Sequence, residues 1–139
     1  MSMPQHANVA VNRSRARVPE IVIVAPSYDR FADFVRAARA GEIGLHLCLD
    51  GHSAVRLARR FPAAAWIVAA DTPGGGSRAF LDGYGESHHT AVFVVADEYR
   101  HEDEQRALAA GVAGFFVHPV TPDVISDSLQ HACGAAVPA

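Results

Sequence analysis

Short apolar, β-branched runs alternate along this chain with segments whose apolar positions recur at helical spacing, the pattern of an α/β domain on a parallel sheet. The first run, Pro19-Glu20-Ile21-Val22-Ile23-Val24, is nearly continuous, as suits a strand buried on both faces. Phe31, Phe34, Val35 and Ala38 then predict a helix between Tyr28 and Ala40, stopped by Gly41. Ile43 to Asp50 reads as a second strand, interrupted in its alternation by His46 and Cys48. A second helix is expected over Gly51 to Phe61, with Val55, Leu57 and Ala58 inward and Arg56, Arg59 and Arg60 outward.

The alternation continues with a third strand over Ala64 to Ala70, closed by the breaker cluster Asp71-Thr72-Pro73-Gly74-Gly75-Gly76-Ser77. A short helix from Arg78 to about Gly83 follows, then a fourth strand over Ala91 to Ala96. His101 to Ala110 forms a helix ended by Gly111, and Gly114 to Val117 a fifth strand. Thr121 caps the last helix, Pro122 stands at its first position, and Asp123 complements its dipole. Ile125, Leu129 and Ala132 supply that helix with one apolar stripe. Five strands and five helices with short right-handed crossovers predict a doubly wound, flavodoxin-like sheet in the order 2-1-3-4-5. Residues 19–133 make this domain, 1–18 a flexible N-terminal extension and 134–139 a tail. Ligands of such sheets bind beyond the carboxyl ends of the strands, so the residues there decide the function.

Composition narrows the choice. The chain has 139 residues, half of them hydrophobic, which fits one packed domain. A net charge of −3 argues against broad nucleic-acid binding, and the arginines are spread out apart from Arg13, Arg15 and Arg17. Cys48 and Cys133 lie far apart without metal-like spacing and read as free thiols of a cytoplasmic protein. No apolar run approaches the ~18–20 residues of a membrane span. The chain contains no lysine at all.

That absence matters most at His118-Pro119, between Gly114-Phe115-Phe116-Val117 and Val120-Thr121-Pro122-Asp123. With Asp71-Thr72-Pro73-Gly74 after strand three and Ala110-Gly111-Val112-Ala113-Gly114-Phe115 before strand five, these motifs resemble the CheY-like receiver domains of response regulators. The resemblance covers roughly Pro19 to Cys133. Receivers carry two acids after strand one, a phosphoacceptor Asp four residues before the loop proline, a Ser or Thr ending strand four, and Lys-Pro ending strand five. Counted onto this sequence, those positions fall on Ala25 and Pro26, Ala69, Ala96 and His118. An aspartyl phosphate needs a carboxylate nucleophile, which Ala69 lacks. Mg²⁺ needs oxygen ligands, which Ala25 and Pro26 lack as side chains. A histidine at position 118 is only partly charged near neutral pH. The resemblance therefore implies the scaffold of a receiver with its phosphorylation site dismantled.

Other residues offer weaker chemistry. Asp71, two positions past the acceptor, with Asp97 and His118 on the same rim, is a candidate unconventional phosphoacceptor or a site for a small ligand or transition metal. Its plain reading is a turn residue before Thr72-Pro73. Gly74 to Gly76 opening a helix would present backbone N–H groups to a phosphate, yet lacks the lysine of a Walker-type loop. Glu86, His88 and His89 read as a polar loop, and His46 and His131 as packing or surface residues without partners. No nucleophile elbow is present for a hydrolase. The expectation is a non-enzymatic signalling module that uses no cofactor. Its predicted contacts are with a protein partner, or a second copy, through helix four, strand five and helix five, using His101, Glu104, Phe115, Val120 and Gln130.

Overall fold

The computed structural model describes residues 18–72, 76–84 and 90–136. Five strands, β1 (Glu20–Val24), β2 (Gly44–Cys48), β3 (Ala65–Ala69), β4 (Ala91–Ala96) and β5 (Gly114–Val117), form one sheet. All pairings are parallel, in the order β2-β1-β3-β4-β5 predicted from the sequence. The helices between and after them are α1 (Ala32–Arg39), α2 (Gly51–Ala58), α3 (Gly76–Tyr84), α4 (His101–Ala109) and α5 (Pro122–Ala136). Among the described residues, no helix is long and apolar enough to cross a membrane.

Because strand side chains alternate between faces, each strand feeds two cores. Ile21, Ile23, Ala65, Ile67, Phe93 and Val95 point to one face, where Phe31, Phe34 and Ala37 near α1 and Ile125 of α5 cover them. Val22, Val24, Trp66, Val68, Val92 and Val94 point to the other, under Ala54 of α2, Phe80 and Tyr84 of α3 and Ala107 of α4. This double burial explains why β1, β3 and β4 read as continuous apolar runs. Trp66 stacks on Phe80 with ring centroids 5.3 Å apart, and Phe80 on Tyr84 at 5.0 Å, anchoring α3 to β3. Close approach of α2 to α3 depends on Gly51, where a Cβ would stand 3.2 Å from the Phe80 backbone nitrogen.

Several boundaries differ from the sequence reading. α1 begins at Ala32 rather than near Tyr28, because the chain turns first: the Asp29 N–H donates to Ser27 Oγ (3.1 Å) and the Phe31 N–H to the Tyr28 carbonyl (2.7 Å). α3 takes in Gly76 and Ser77, which the glycine cluster had suggested were loop. α2 is capped by Asp50, whose carboxylate accepts the Ser53 N–H at 2.8 Å and is held below the usual carboxylate range by that bond. α5 runs to Ala136, beyond the expected end at Cys133. His46, read as partnerless, meets Glu20 across the β1–β2 pair (Nε2 to Oε1, 2.7 Å). Gly44 makes room for this pair, since a Cβ there would collide with the Glu20 carboxylate.

Candidate functional site

The carboxyl ends of β1, β3, β4 and β5 meet along one rim, where the positions counted from the resemblance, Ala25, Pro26, Ala69, Ala96 and His118, carry no carboxylate, hydroxyl or ammonium, while Asp71 and Asp97 stand beside them. Ala25 follows β1 and is buried; Pro26 beside it is exposed. Ala69 ends β3 in register with Val95 of β4, and Ala96 ends β4; both are buried. His118 directly follows β5, its N–H donating to the Ala96 carbonyl at 3.0 Å, and its bond to Pro119 is cis.

Thr72, which the sequence reading took only as part of a loop, occupies the centre. Among the described residues it is the buried polar side chain of the domain. Its hydroxyl lies 2.9 Å from the Val24 carbonyl and 2.6 Å from the Ala69 carbonyl, sharing one proton between the ends of β1 and β3. Its N–H also returns to the Ala69 carbonyl at 3.1 Å, closing a turn that carries Ala70 and Asp71. Asp71 is thereby an exposed turn residue. The one sequence cue for Thr72 was a hydroxyl residue three positions past a strand end, within a turn, where such side chains bond nearby backbone.

A second unanticipated feature lies above this tie. Arg30, from the turn before α1, reaches Asp97 after β4, with Nη1 2.8 Å from Oδ1 and both side chains about half exposed (54% each). β3 lies between β1 and β4, so this pair links the two loops that flank the end of β3. Nothing local distinguishes Arg30, which stands 67 positions from its partner.

His118 sits against the Phe31 ring, centroids 5.1 Å apart and nearly perpendicular. Its Nδ1 is buried and has no hydrogen-bond partner among the described residues. Burial first, and then the Arg30 guanidinium, holds its pKa below the ordinary 6.5, against the opposing pull of Asp97 and Asp71. The imidazole is therefore neutral at pH 7, when a phosphate contact would require the cation.

The donor set does not fit Mg²⁺. Neither Ala25 nor Pro26 nor Ala69 offers a side-chain oxygen, and the Thr72 hydroxyl is engaged with two carbonyls. Nor do Asp71, Asp97 and His118 make a transition-metal centre: among the described residues, no group of three His, Cys, Asp or Glu side chains is placed to hold an ion. Cys48 is a buried free thiol, its pKa raised by burial and then by Asp50. Gly74, Gly75, Glu86, His88 and His89 lie outside the described residues, as does the side chain of Cys133.

The predicted interaction face is altered in one member. Val120 is buried in the same cluster as Ile125 rather than presented to solvent; following Pro119, it turns beneath α5. His101 and Gln130 are exposed, Glu104 and Phe115 partly so. Two residues missed in the sequence add to this face. The Tyr99 hydroxyl donates to Glu104 Oε1 at 2.6 Å, its ring meets Phe115 edge-on at 6.3 Å, and it stays 55% exposed, while Leu108 on α4 is 50% exposed. Tyr99 also lies 3.2 Å from His101 Nδ1.

Solved structures share this architecture. A LuxR-family DNA-binding response regulator from Staphylococcus aureus aligns with a TM-score of 0.69 at 14% identity, covering 82% of this chain and 98% of that one. The BeF3-activated N-terminal receiver domain of RstA from Klebsiella pneumoniae aligns with a TM-score of 0.65 at 16% identity, covering 81% and 96%. A CheY-like receiver domain protein from Methanospirillum hungatei gives 0.69 at 10% identity, covering 83% and 93%. At these identities the likeness is one of fold, and the fold is that of a receiver domain. No family model and no curated protein sequence matches the chain.

Proposed function

We propose that this chain is a non-enzymatic receiver-fold module of a cytoplasmic signalling pathway, acting by protein–protein contact without aspartyl phosphorylation. The observation that carries the reading is Ala69, a buried methyl at the end of β3, with Ala25, Pro26 and Ala96 around it and Thr72 tying the strand ends together. Phosphoryl transfer to protein needs a nucleophile and fixed positive charge around the transferred group. This rim has the methyl of Ala69 in place of the first. Of its two basic side chains, the His118 imidazole is pushed toward its neutral form and Arg30 is already matched by Asp97. The scaffold then serves its surfaces, and the half-exposed Tyr99 and Leu108 beside Phe115 support a docking role for the α4–β5–α5 face.

Incubation with acetyl phosphate and Mg²⁺, read by intact mass, is expected to leave the protein unmodified. An added phosphoryl group that disappears in Asp71→Asn would overturn the reading in favour of an unconventional acceptor. Partner capture from the native cell is expected to be lost in Leu108→Glu and in Tyr99→Ala. Capture unchanged by both would discard the face. A second reading, a small-ligand sensor at the rim, is favoured by the unpartnered His118 Nδ1 beside Arg30, Asp97 and Asp71. It predicts that a small anion raises Tm in the wild type but not in Arg30→Gln.

A further inference from the structure

A concavity also lies away from the strand rim. On the face of the sheet covered by α2, α3 and α4, a cavity of about 420 Å³ lies between α3 and α4. Its floor is Ala70, Val94 and Phe115, with Leu81 and Ala107 closing in from the helices. The space exists because α3 packs against α2 and β3 rather than against α4, and because Ala70, Ala107 and Ala110 fill so little of it. Its volume falls in the range of small-molecule sites, roughly 300–1,000 Å³.

Four charged side chains stand around the mouth, and their pairing is uneven. Arg106 is matched by Asp103 one turn earlier on α4, Nη1 to Oδ1 3.6 Å. Asp82 stands on the crest of α3 and also borders the groove on its far side, where Arg56 and Arg59 lie. Arg78 has no hydrogen bond or ion pair among the described residues. It belongs, with Ser77, to the first turn of α3, where the aligned peptide dipoles add to its positive field. An apolar floor thus faces a guanidinium that makes no ion pair among the described residues, although Asp82 shares the mouth with it, and a guanidinium is the group best shaped to grip a carboxylate.

We propose that the α3–α4 cavity binds a small amphipathic carboxylate, an aryl or branched aliphatic acid. Its apolar body lies on Phe115, Val94 and Leu81, and its carboxylate pairs with Arg78. Phe115 belongs both to this floor and, through Tyr99, to the exposed face beside α4. Occupancy therefore acts on that face without any aspartyl chemistry. The site is separate from the strand rim and stands whether or not a partner docks on α4.

Phenylacetate, hydrocinnamate and isovalerate are suitable probes, with phenylacetamide as the neutral match. Binding is read by amide NMR shifts and by the fluorescence of the single tryptophan, Trp66, which stacks on Phe80 of α3. At millimolar concentration at least one acid is expected to shift Leu81, Ala107 and Phe115. Phenylacetamide should bind about tenfold more weakly than phenylacetate, since a charged partner strengthens a hydrogen bond by that order. Arg78→Gln should reduce the acid to the level of the amide, while Ala110→Trp at the exposed mouth should block both. Unliganded Arg78→Gln is expected to melt with the wild type, because Arg78 is exposed and makes no pair among the described residues. Absence of binding by all three acids, equal affinity for acid and amide, undiminished binding in Arg78→Gln, or shifts confined to Arg30, Asp97 and His118 would each overturn the proposal. So would occupation of the cavity by a peptide carboxyl terminus when the free acids fail.

Discussion

Replacing Thr72 by Val keeps the shape of the side chain and removes the hydroxyl that joins β1 to β3. Thr72 is 2% exposed, and its Oγ1 stands 2.9 Å from the Val24 carbonyl and 2.6 Å from the Ala69 carbonyl. Ala69 keeps the bond from the Thr72 N–H, so the loss falls mainly on Val24. Leaving one buried carbonyl facing a methyl costs about 1–3 kcal/mol. The added methyl recovers about 0.8 kcal/mol by burial, so the net loss is roughly 0.2–2.2 kcal/mol. In a domain of this size each 1 kcal/mol shifts Tm by roughly 3–5 °C, placing the expected fall between about 1 and 11 °C. Urea and thermal unfolding at pH 7 measure it, with Thr72→Ser as the control that retains the hydroxyl. A Val variant as stable as the wild type, or a Ser variant that loses as much as Val, would refute the tie and assign the position to methyl packing.

Introducing a carboxylate at the end of β3, Ala69→Asp, is expected to destabilise by about 2–4 kcal/mol at pH 7, because the site is buried and Arg30 is already paired with Asp97. Burial raises the pKa of such a carboxyl, so the deficit should shrink as pH falls towards 5; a pH-independent deficit would contradict this. His118 binds fewer protons folded than unfolded just below its ordinary 6.5, so the wild type loses stability as pH falls through that region. His118→Gln removes this contribution, and the Tm difference between variant and wild type should move in the variant's favour from pH 7.5 to about 5.5. A constant difference would show that only the Phe31 contact matters. The exposed Arg30–Asp97 pair should give a coupling of about 0–1 kcal/mol in an Arg30→Ala, Asp97→Ala cycle, fading in about 1 M NaCl.

The alternation of apolar runs and helical segments predicted five strands and five helices, and the crossover rules for such units gave the sheet order. That Ala25, Pro26, Ala69 and Ala96 bring no reactive side chain follows from residue identity alone, which is written along the chain. β4 and β5 have the bounds read from it, because each is an apolar run closed by polar or turn residues. Other features needed the folded chain. Thr72 gains its role because the Val24 carbonyl, 48 positions earlier, ends beside it, and Arg30 meets Asp97 across 67. Val120 looked like a surface residue and is core, since it packs in the cluster that contains Ile125 of α5. The lysine-free sequence shows that position 118 after β5 carries an imidazole and no ammonium. Only the assembled rim shows that burial and then the Arg30 guanidinium push the His118 pKa below its ordinary value, because desolvation and neighbouring charge are properties of the folded chain.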